Sequence, residues 1–328
     1  MSYKKLEKLL IIGLGSMGKK YLDIVQKNWP RTEIAIITSN SKYIYENYSK
    51  SINTFENLNN AIKWNPNAAI IASPASFHIN QAIILSNAKV PTLIEKPLGT
   101  GKESQNTLKK IDYHSTKNIL LLGYVLRHSP CAVYLKKLLD ENKIGKLIEA
   151  DFYCASWLPS WRKDIDYRKT VSAKSSLGGG VLLEMSHEID LAFWFLDDIN
   201  IKYAYINNTG TLEIDNELED KALIFANNNK NIDITIRLNY CTRPTERRIT
   251  LRGEEGSLCW DIAKNIVILQ KNNSQKIYKT DKDIKDLYKI QLEHFFSCIY
   301  DNKKPICNIN DGLKVLSLIT NAKNFSTS

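Results

Sequence analysis

Three short stretches carry residue types that, in this order, point to one kind of chemistry. Near the start, Gly13-Leu14-Gly15-Ser16-Met17-Gly18 follows the apolar run Leu9–Ile12 and precedes the helix-compatible Lys19–Gln26. Gly13 permits a tight turn, Gly15 lets backbone approach a diphosphate, and Gly18 lets a helix pack on the strand. Strand, glycine loop and helix together predict a dinucleotide site, with the diphosphate on the helix N-terminus and Ser16 and Met17 beside it. The competing reading is a glycine-rich turn that holds no ligand. Further along, Ile70-Ile71-Ala72-Ser73-Pro74-Ala75-Ser76-Phe77-His78 adds Ser73, Pro74 and His78 to the expected cofactor-binding residues. Glu95-Lys96-Pro97 completes them: a lysine fixed between a carboxylate and a proline, after a later strand, would bring a charge to the cofactor's reactive end. The three stretches predict hydride transfer, against the plainer reading of Lys96 as a surface lysine at a strand end.

The 2′ position of such a cofactor is read at the end of the second strand, Glu33–Thr38, where NAD-preferring folds usually carry an acid. This chain has Thr38-Ser39-Asn40-Ser41-Lys42 there. With no carboxylate to bind a ribose diol or repel a phosphate, Thr38, Ser39 and Lys42 favour NADP over NAD, although other loops can present the needed groups.

Positioning these residues requires a parallel sheet. Up to about Gly123-Tyr124, apolar strands (Ala68–Ser73, Thr92–Glu95, Ile119–Gly123) alternate with helical segments (Asn80–Ala88, Lys102–His114). Such alternation predicts a doubly wound α/β domain over residues 1–124. Over 125–328 the pattern changes to an α+β domain. A helix at Cys131–Asn142 is followed by a strand at Leu147–Ala155, a polar loop from Ser156 to Ser176, and a helix beginning near Gly180. From Lys202 to Leu269 the period is close to two, with turns at 227–230, 252–256 and 261–264, which predicts a large, open, mostly antiparallel sheet. Helices at Ile284–Tyr300 and Asp311–Lys323 close the chain, and the last is expected to be able to pack back on the first domain.

Composition narrows the classes. The 328 residues, 43% of them hydrophobic, suffice for two cores. The six cysteines show no paired spacing, so neither a metal site nor a disulfide framework is expected. The net charge of +10 comes from dispersed lysines, so nucleic acid is not expected as a partner, while anionic small molecules are favoured. No apolar stretch is long enough to span a membrane, and Met1-Ser2-Tyr3-Lys4-Lys5 runs straight into the first strand; a cytoplasmic protein is expected.

The order GLGSMG, AIIASPASFH, EKPLGT, GYVLRHSP with KIG, and GGGVLLEMSHEID resembles the Gfo/Idh/MocA family of NAD(P)-dependent sugar and polyol oxidoreductases. The resemblance covers essentially the whole chain. It implies a Rossmann domain, a C-terminal α/β domain whose open sheet forms a homodimer or homotetramer interface, and oxidation or reduction of a hydroxyl-bearing carbon.

By this resemblance Lys96 matches the lysine that contacts substrate and nicotinamide ribose, where an ammonium would stabilise a developing alkoxide. Pro97 is expected at a rigid bend, of the kind a cis peptide makes. His187 matches the family's general acid/base, a task suited to imidazole because its ordinary pKa lies near neutrality; the plain alternative is a packing histidine. Asp190, on the same helix, is expected to position that helix or touch the substrate. Many members carry an aspartate four residues before the histidine, but Leu183 stands there in this chain. Glu184, three before His187, would share a helical face with it and could act as a surrogate carboxylate, or be purely structural. In the polar loop, Trp161, Arg162 and Arg168 could cover a sugar and bind its acid group, which suggests a sugar acid or nucleotide sugar. Arg127 could line the same site or form a structural pair. Two rival functions are a reductase of dihydrodiol- or tetrapyrrole-like compounds on the same scaffold and a non-catalytic cofactor-binding regulator. Retention of both Lys96 and His187 speaks against the regulator.

Overall fold

In the computed structural model, residues 6–39, 52–103, 107, 110, 118–162 and 164–326 are described. The chain divides into two compact units, residues 1–123 with 288–312, and residues 124–287 with 313–328.

The first unit alternates strand and helix: β1 (Lys8–Ile12), α1 (Ser16–Asn28), β2 (Glu33–Ile37), β3 (Ile52–Thr54), α2 (Leu58–Lys63), β4 (Ala68–Ile71), α3 (Ala75–Asn87), β5 (Thr92–Ile94) and β6 (Leu120–Leu122). The strands form one parallel sheet in the order β3-β2-β1-β4-β5-β6. Strands covered on both faces read as continuous apolar runs, and β4, β5 and β6 are buried at every position. Tyr21, Leu22 and Val25 of α1 pack on this sheet together with Leu292, Phe295 and Phe296 from the returning C-terminal stretch.

Boundaries differ from the sequence pattern in instructive ways. The helix expected from Asn80 starts at Ala75, directly after Pro74, whose fixed φ suits a helix entrance. The short elements β3 and α2 had no clear periodic signal. The expected helix at 102–114 lies largely outside the described residues.

The second unit contains α4 (Pro130–Asp140), β7 (Leu147–Ala155), α5 (Val181–Glu184), α6 (His187–Leu196) and β8 (Asn200–Asn207). It continues with β9 (Lys221–Asn227), β10 (Asp233–Asn239), β11 (Glu246–Gly253), β12 (Gly256–Asp261), β13 (Ile266–Lys271) and β14 (Ser274–Lys279). Helix α7 (Ile284–Tyr300) passes from this unit into the first, and α8 (Ile309–Ser326) ends mostly in the second.

The eight strands follow the order β14-β13-β12-β11-β7-β10-β9-β8, antiparallel throughout except for the parallel pair β7–β10. Register carries one inward row across all of them: Ala204, Ile224, Ile236, Phe152, Ile249, Trp260, Val267 and Tyr278. Phe195 of α6 stacks on Phe152, 6.5 Å between ring centroids, and Tyr134 of α4 meets Tyr278, 4.3 Å between centroids, so both helices lie on this face. The row on the opposite face includes Tyr203, Phe225 and Ile277, which are 54%, 39% and 61% exposed. The polar loop at 156–176 coils into short 3-10 turns at Leu158–Ser160, Tyr167–Lys169, Val171–Ala173 and, crossing its end, Ser175–Leu177.

Candidate active site

In the first unit the expected cofactor residues gather at the carboxyl ends of β1, β4 and β5. The strand order reverses between β1 and β4, and in open α/β sheets ligands bind outside such a switch point. Gly13 adopts φ +91°, and a Cβ there would lie 2.7 Å from Ala72 O and Ser73 N. A Cβ on Gly18 would lie 2.0 Å from Gly13 O, so no side chain fits between loop and helix. At Gly15 an added Cβ would meet nothing within 4 Å, which leaves open space over the start of α1. That helix has no side-chain cap and no acid in its first turn. Its first N–H groups and its dipole are therefore available to a diphosphate, and the residues fit a dinucleotide. At the 2′ end, Thr38 is half-buried and Ser39 exposed, while Lys42 lies outside the described residues.

His78, in the first turn of α3, is enclosed, with Nε2 2.7 Å from Ser73 O and Nδ1 2.8 Å from Pro97 O. It thus ties the turn after β4 to the turn after β5. Burial pulls the imidazole below its ordinary pKa, the Ser73 and Pro97 carbonyls oppose that, and the Lys96 charge reinforces it. Ser73 donates from Oγ to Gln81 Oε1 at 2.7 Å.

The Lys96–Pro97 peptide is cis. On its other side Glu95 is buried, accepting from Tyr21 Oη at 2.5 Å through Oε1 and from Lys96 N at 3.1 Å through Oε2. Gln291 of α7 also reaches the Tyr21 hydroxyl at 2.9 Å. The phenol has one proton and faces two oxygens, Glu95 Oε1 and Gln291 Oε1, so it donates to one of them at a time. Burial raises the Glu95 carboxyl above its usual range, against the pull of the Tyr21 hydrogen bond and the Lys96 charge. The lysine turn is held from both sides by enclosed groups, of which the sequence pointed to His78 and Glu95 but not to Tyr21 or Gln291.

In the second unit, the segment expected as one helix from Gly180 is two. α5 ends at Glu184, and α6 begins at His187 after Met185 and Ser186. The shared helical face expected for Glu184 and His187 therefore does not exist. Glu219 accepts Val181 N through its backbone carbonyl and Leu182 N through its side chain, which anchors the start of the short helix. Glu184 turns to Ser172, whose Oγ donates to it at 2.6 Å.

His187 is buried at the first position of α6, with the Tyr124 ring edge-on at 5.6 Å between centroids. Arg127 and Asp190 meet each other: Nε and Nη2 donate to the two carboxylate oxygens at 3.0 and 2.7 Å, and both side chains are enclosed. Arg127 also lies over the Trp194 ring. Glu188 forms a second pair, with Arg247 of β11, at 2.6 and 3.1 Å. Burial, with the Glu188 charge beside it, pushes the Cys154 thiol up to about 12. Neither Glu188 nor Arg247 stood out in the sequence, although two acids inside the apolar run of α6 imply partners, because an unpaired buried charge is costly.

In the polar loop, Arg168 pairs with Asp166 and Glu213 at the surface. Trp161 donates from Nε1 to Ser156 Oγ at 2.9 Å and stands edge-on to the buried Tyr240. Arg162 is half-buried and lines a small pocket with Trp161, Tyr167, Thr170 and Ser172. Among the described residues no carboxylate pairs with Arg162, and no cluster of three His, Cys, Asp or Glu is placed to hold a metal. Among the described residues no helix is long and apolar enough to cross a membrane.

Comparison with known proteins gives the same picture. Residues 8–122 match the oxidoreductase family model with an NAD-binding Rossmann fold, and residues 132–259 match the Gfo/Idh/MocA C-terminal domain. The chain is 18% identical over 316 residues to an inositol 2-dehydrogenase/D-chiro-inositol 3-dehydrogenase of Lactiplantibacillus plantarum, covering 93% of this chain and 87% of that protein. Among solved structures it superposes on the WlbA dehydrogenase of Bordetella pertussis in complex with NADH and UDP-GlcNAcA, with TM-score 0.80, 19% identity and coverage of 99% and 96%. A levoglucosan dehydrogenase complex with NADH aligns with TM-score 0.84, 18% identity and coverage of 98% and 97%. From the parallel Rossmann sheet through the mixed eight-stranded sheet, the chain belongs to the Gfo/Idh/MocA family of oxidoreductases.

Proposed function

We propose that this protein is a nicotinamide-dependent dehydrogenase acting on a CH–OH carbon of a sugar, sugar acid or nucleotide sugar. The observation that carries the proposal is the convergence, at one switch point, of an uncapped glycine-loop helix and a lysine turn held by His78 and Glu95. The nicotinamide, when bound, supplies the hydride acceptor. Lys96 steadies negative charge on the substrate oxygen, and His187 takes the hydroxyl proton as the C–H hydrogen leaves with its electron pair. Inositol, levoglucosan and UDP-GlcNAcA, named for the relatives, set the substrate range to search.

An anionic substrate rests on Arg162, because Arg127 and Arg168 are engaged with acids of the chain itself. Relatives are seen with NADH, and the lean towards NADP has only the missing acid after β2 behind it. A cytoplasmic setting is part of the proposal.

Titrating NAD(H) and NADP(H) side by side, then assaying reduction of both cofactors with inositols, levoglucosan, sugar acids and UDP-sugars, tests this reading. Binding of a nicotinamide cofactor, lost in Gly15→Val, is expected together with turnover of at least one sugar. No binding of any cofactor form would remove the proposal.

A further inference from the structure

Helix α6 opens with His187 and carries acids at its second and fourth positions, Glu188 and Asp190, both fully enclosed. Two residues along an α-helix correspond to a turn of about 200°, so the two carboxylates leave nearly opposite sides of the helix. Each is gripped at two points. Arg127, from the 3-10 turn at Val125–His128, holds Asp190 at 2.7 and 3.0 Å. Arg247, from β11, holds Glu188 at 2.6 and 3.1 Å. Elsewhere α6 buries apolar side chains, Ile189, Leu191, Ala192, Phe195 and Leu196, with Phe195 on Phe152. Apolar burial is non-directional and by itself leaves a helix able to turn about its axis. A bidentate guanidinium–carboxylate pair, in contrast, fixes geometry.

We infer that these two buried pairs lock the rotation of α6 and thereby aim the His187 imidazole. Arg127, Asp190, Glu188 and Arg247 are positioning residues in this account, and Arg127 and Asp190 serve the substrate only through His187. The inference rests on the reading of His187 as the proton-transfer group. A 20° rotation of a helix whose side-chain tips lie about 5–6 Å from its axis moves a tip by about 2 Å. A misplacement of 1 Å at a reacting centre can cost about 100-fold in rate.

The test replaces one pair as a unit, Glu188→Leu with Arg247→Met, because exchanging a buried ion pair for apolar residues of similar size is often neutral for stability. The first readout is the His187 imidazole signal by NMR, assigned through His187→Ala; the second is kcat for the sugar found in the substrate panel. With the melting temperature and cofactor affinity preserved, the His187 signal is expected to broaden or shift. In parallel, kcat should fall at least about tenfold with KM nearly constant. Arg247→Lys, which keeps the charge but not the two-point grip, should move both readouts the same way and decides the matter if the double variant does not fold. An unchanged His187 signal and unchanged kcat in a folded variant would overturn the inference. A changed His187 signal in a protein whose His187→Ala form turns over normally would instead count against the catalytic reading of His187, leaving the lock intact.

Discussion

Glu184 is where a single residue separates two accounts of the site. A carboxylate one helical turn before His187 would share its face, but the helix breaks at Met185–Ser186 and Glu184 accepts a hydrogen bond from Ser172. Glutamine preserves that acceptor while removing the charge. Glu184→Gln is therefore expected to keep kcat within about tenfold of the wild type, well short of the 10²–10⁴-fold loss typical of removing a proton-transfer group. A loss as large as that of His187→Ala would make Glu184 part of the proton path. The arginines teach a related lesson at this scale. Arg127, Arg168 and Arg247 all pair with acids of their own unit. A basic residue near a candidate site signals an anionic ligand only after its internal partners are known.

At the scale of elements, the Rossmann half was largely legible because its strands are buried on both faces and read as unbroken apolar runs between glycine and proline signals. The strand at Leu147–Ala155 and the helix at Ile284–Tyr300 were likewise plain from their patterns. Other features had no local signature. β14, with sequence SQKIYK, is a mostly exposed edge strand carrying two apolar residues, so its pattern resembles a loop. The parallel pairing of β7 with β10 joins strands nearly 80 positions apart, and a period of two says nothing about direction. The break between α5 and α6 lies in a stretch with neither glycine nor proline to mark it. The site residues divide the same way. The glycines, Lys96 and His78 lie in local motifs, whereas Tyr21–Gln291 and Glu188–Arg247 are contacts across 270 and 59 positions.

For the whole molecule, the eight-stranded sheet has α4 and α6 packed on one face and, on the other, Tyr203, Tyr205 and Phe225, all substantially exposed. Large apolar side chains clustered on an open sheet are characteristic of an association surface. Assembly of the protein through this face, as a homodimer or homotetramer, is therefore proposed. Light scattering of the wild type should give a multiple of the 37.5 kDa chain mass, and Tyr203→Asp with Phe225→Asp should reduce it. An unchanged mass in a folded variant would move the interface elsewhere.

We propose that Lys96 and His187 act in the same hydride-transfer step. The most direct test is a double-mutant cycle on kcat with His187→Ala, Lys96→Ala and the combined variant, alongside calorimetric cofactor affinity. Residues that work as a unit lose activity non-additively. A loss of about 10²–10⁴-fold is expected for His187→Ala at nearly constant cofactor affinity, with the combined variant little worse than the weaker single one. Wild-type turnover by His187→Ala, or losses that simply multiply in the combined variant, would contradict the proposal.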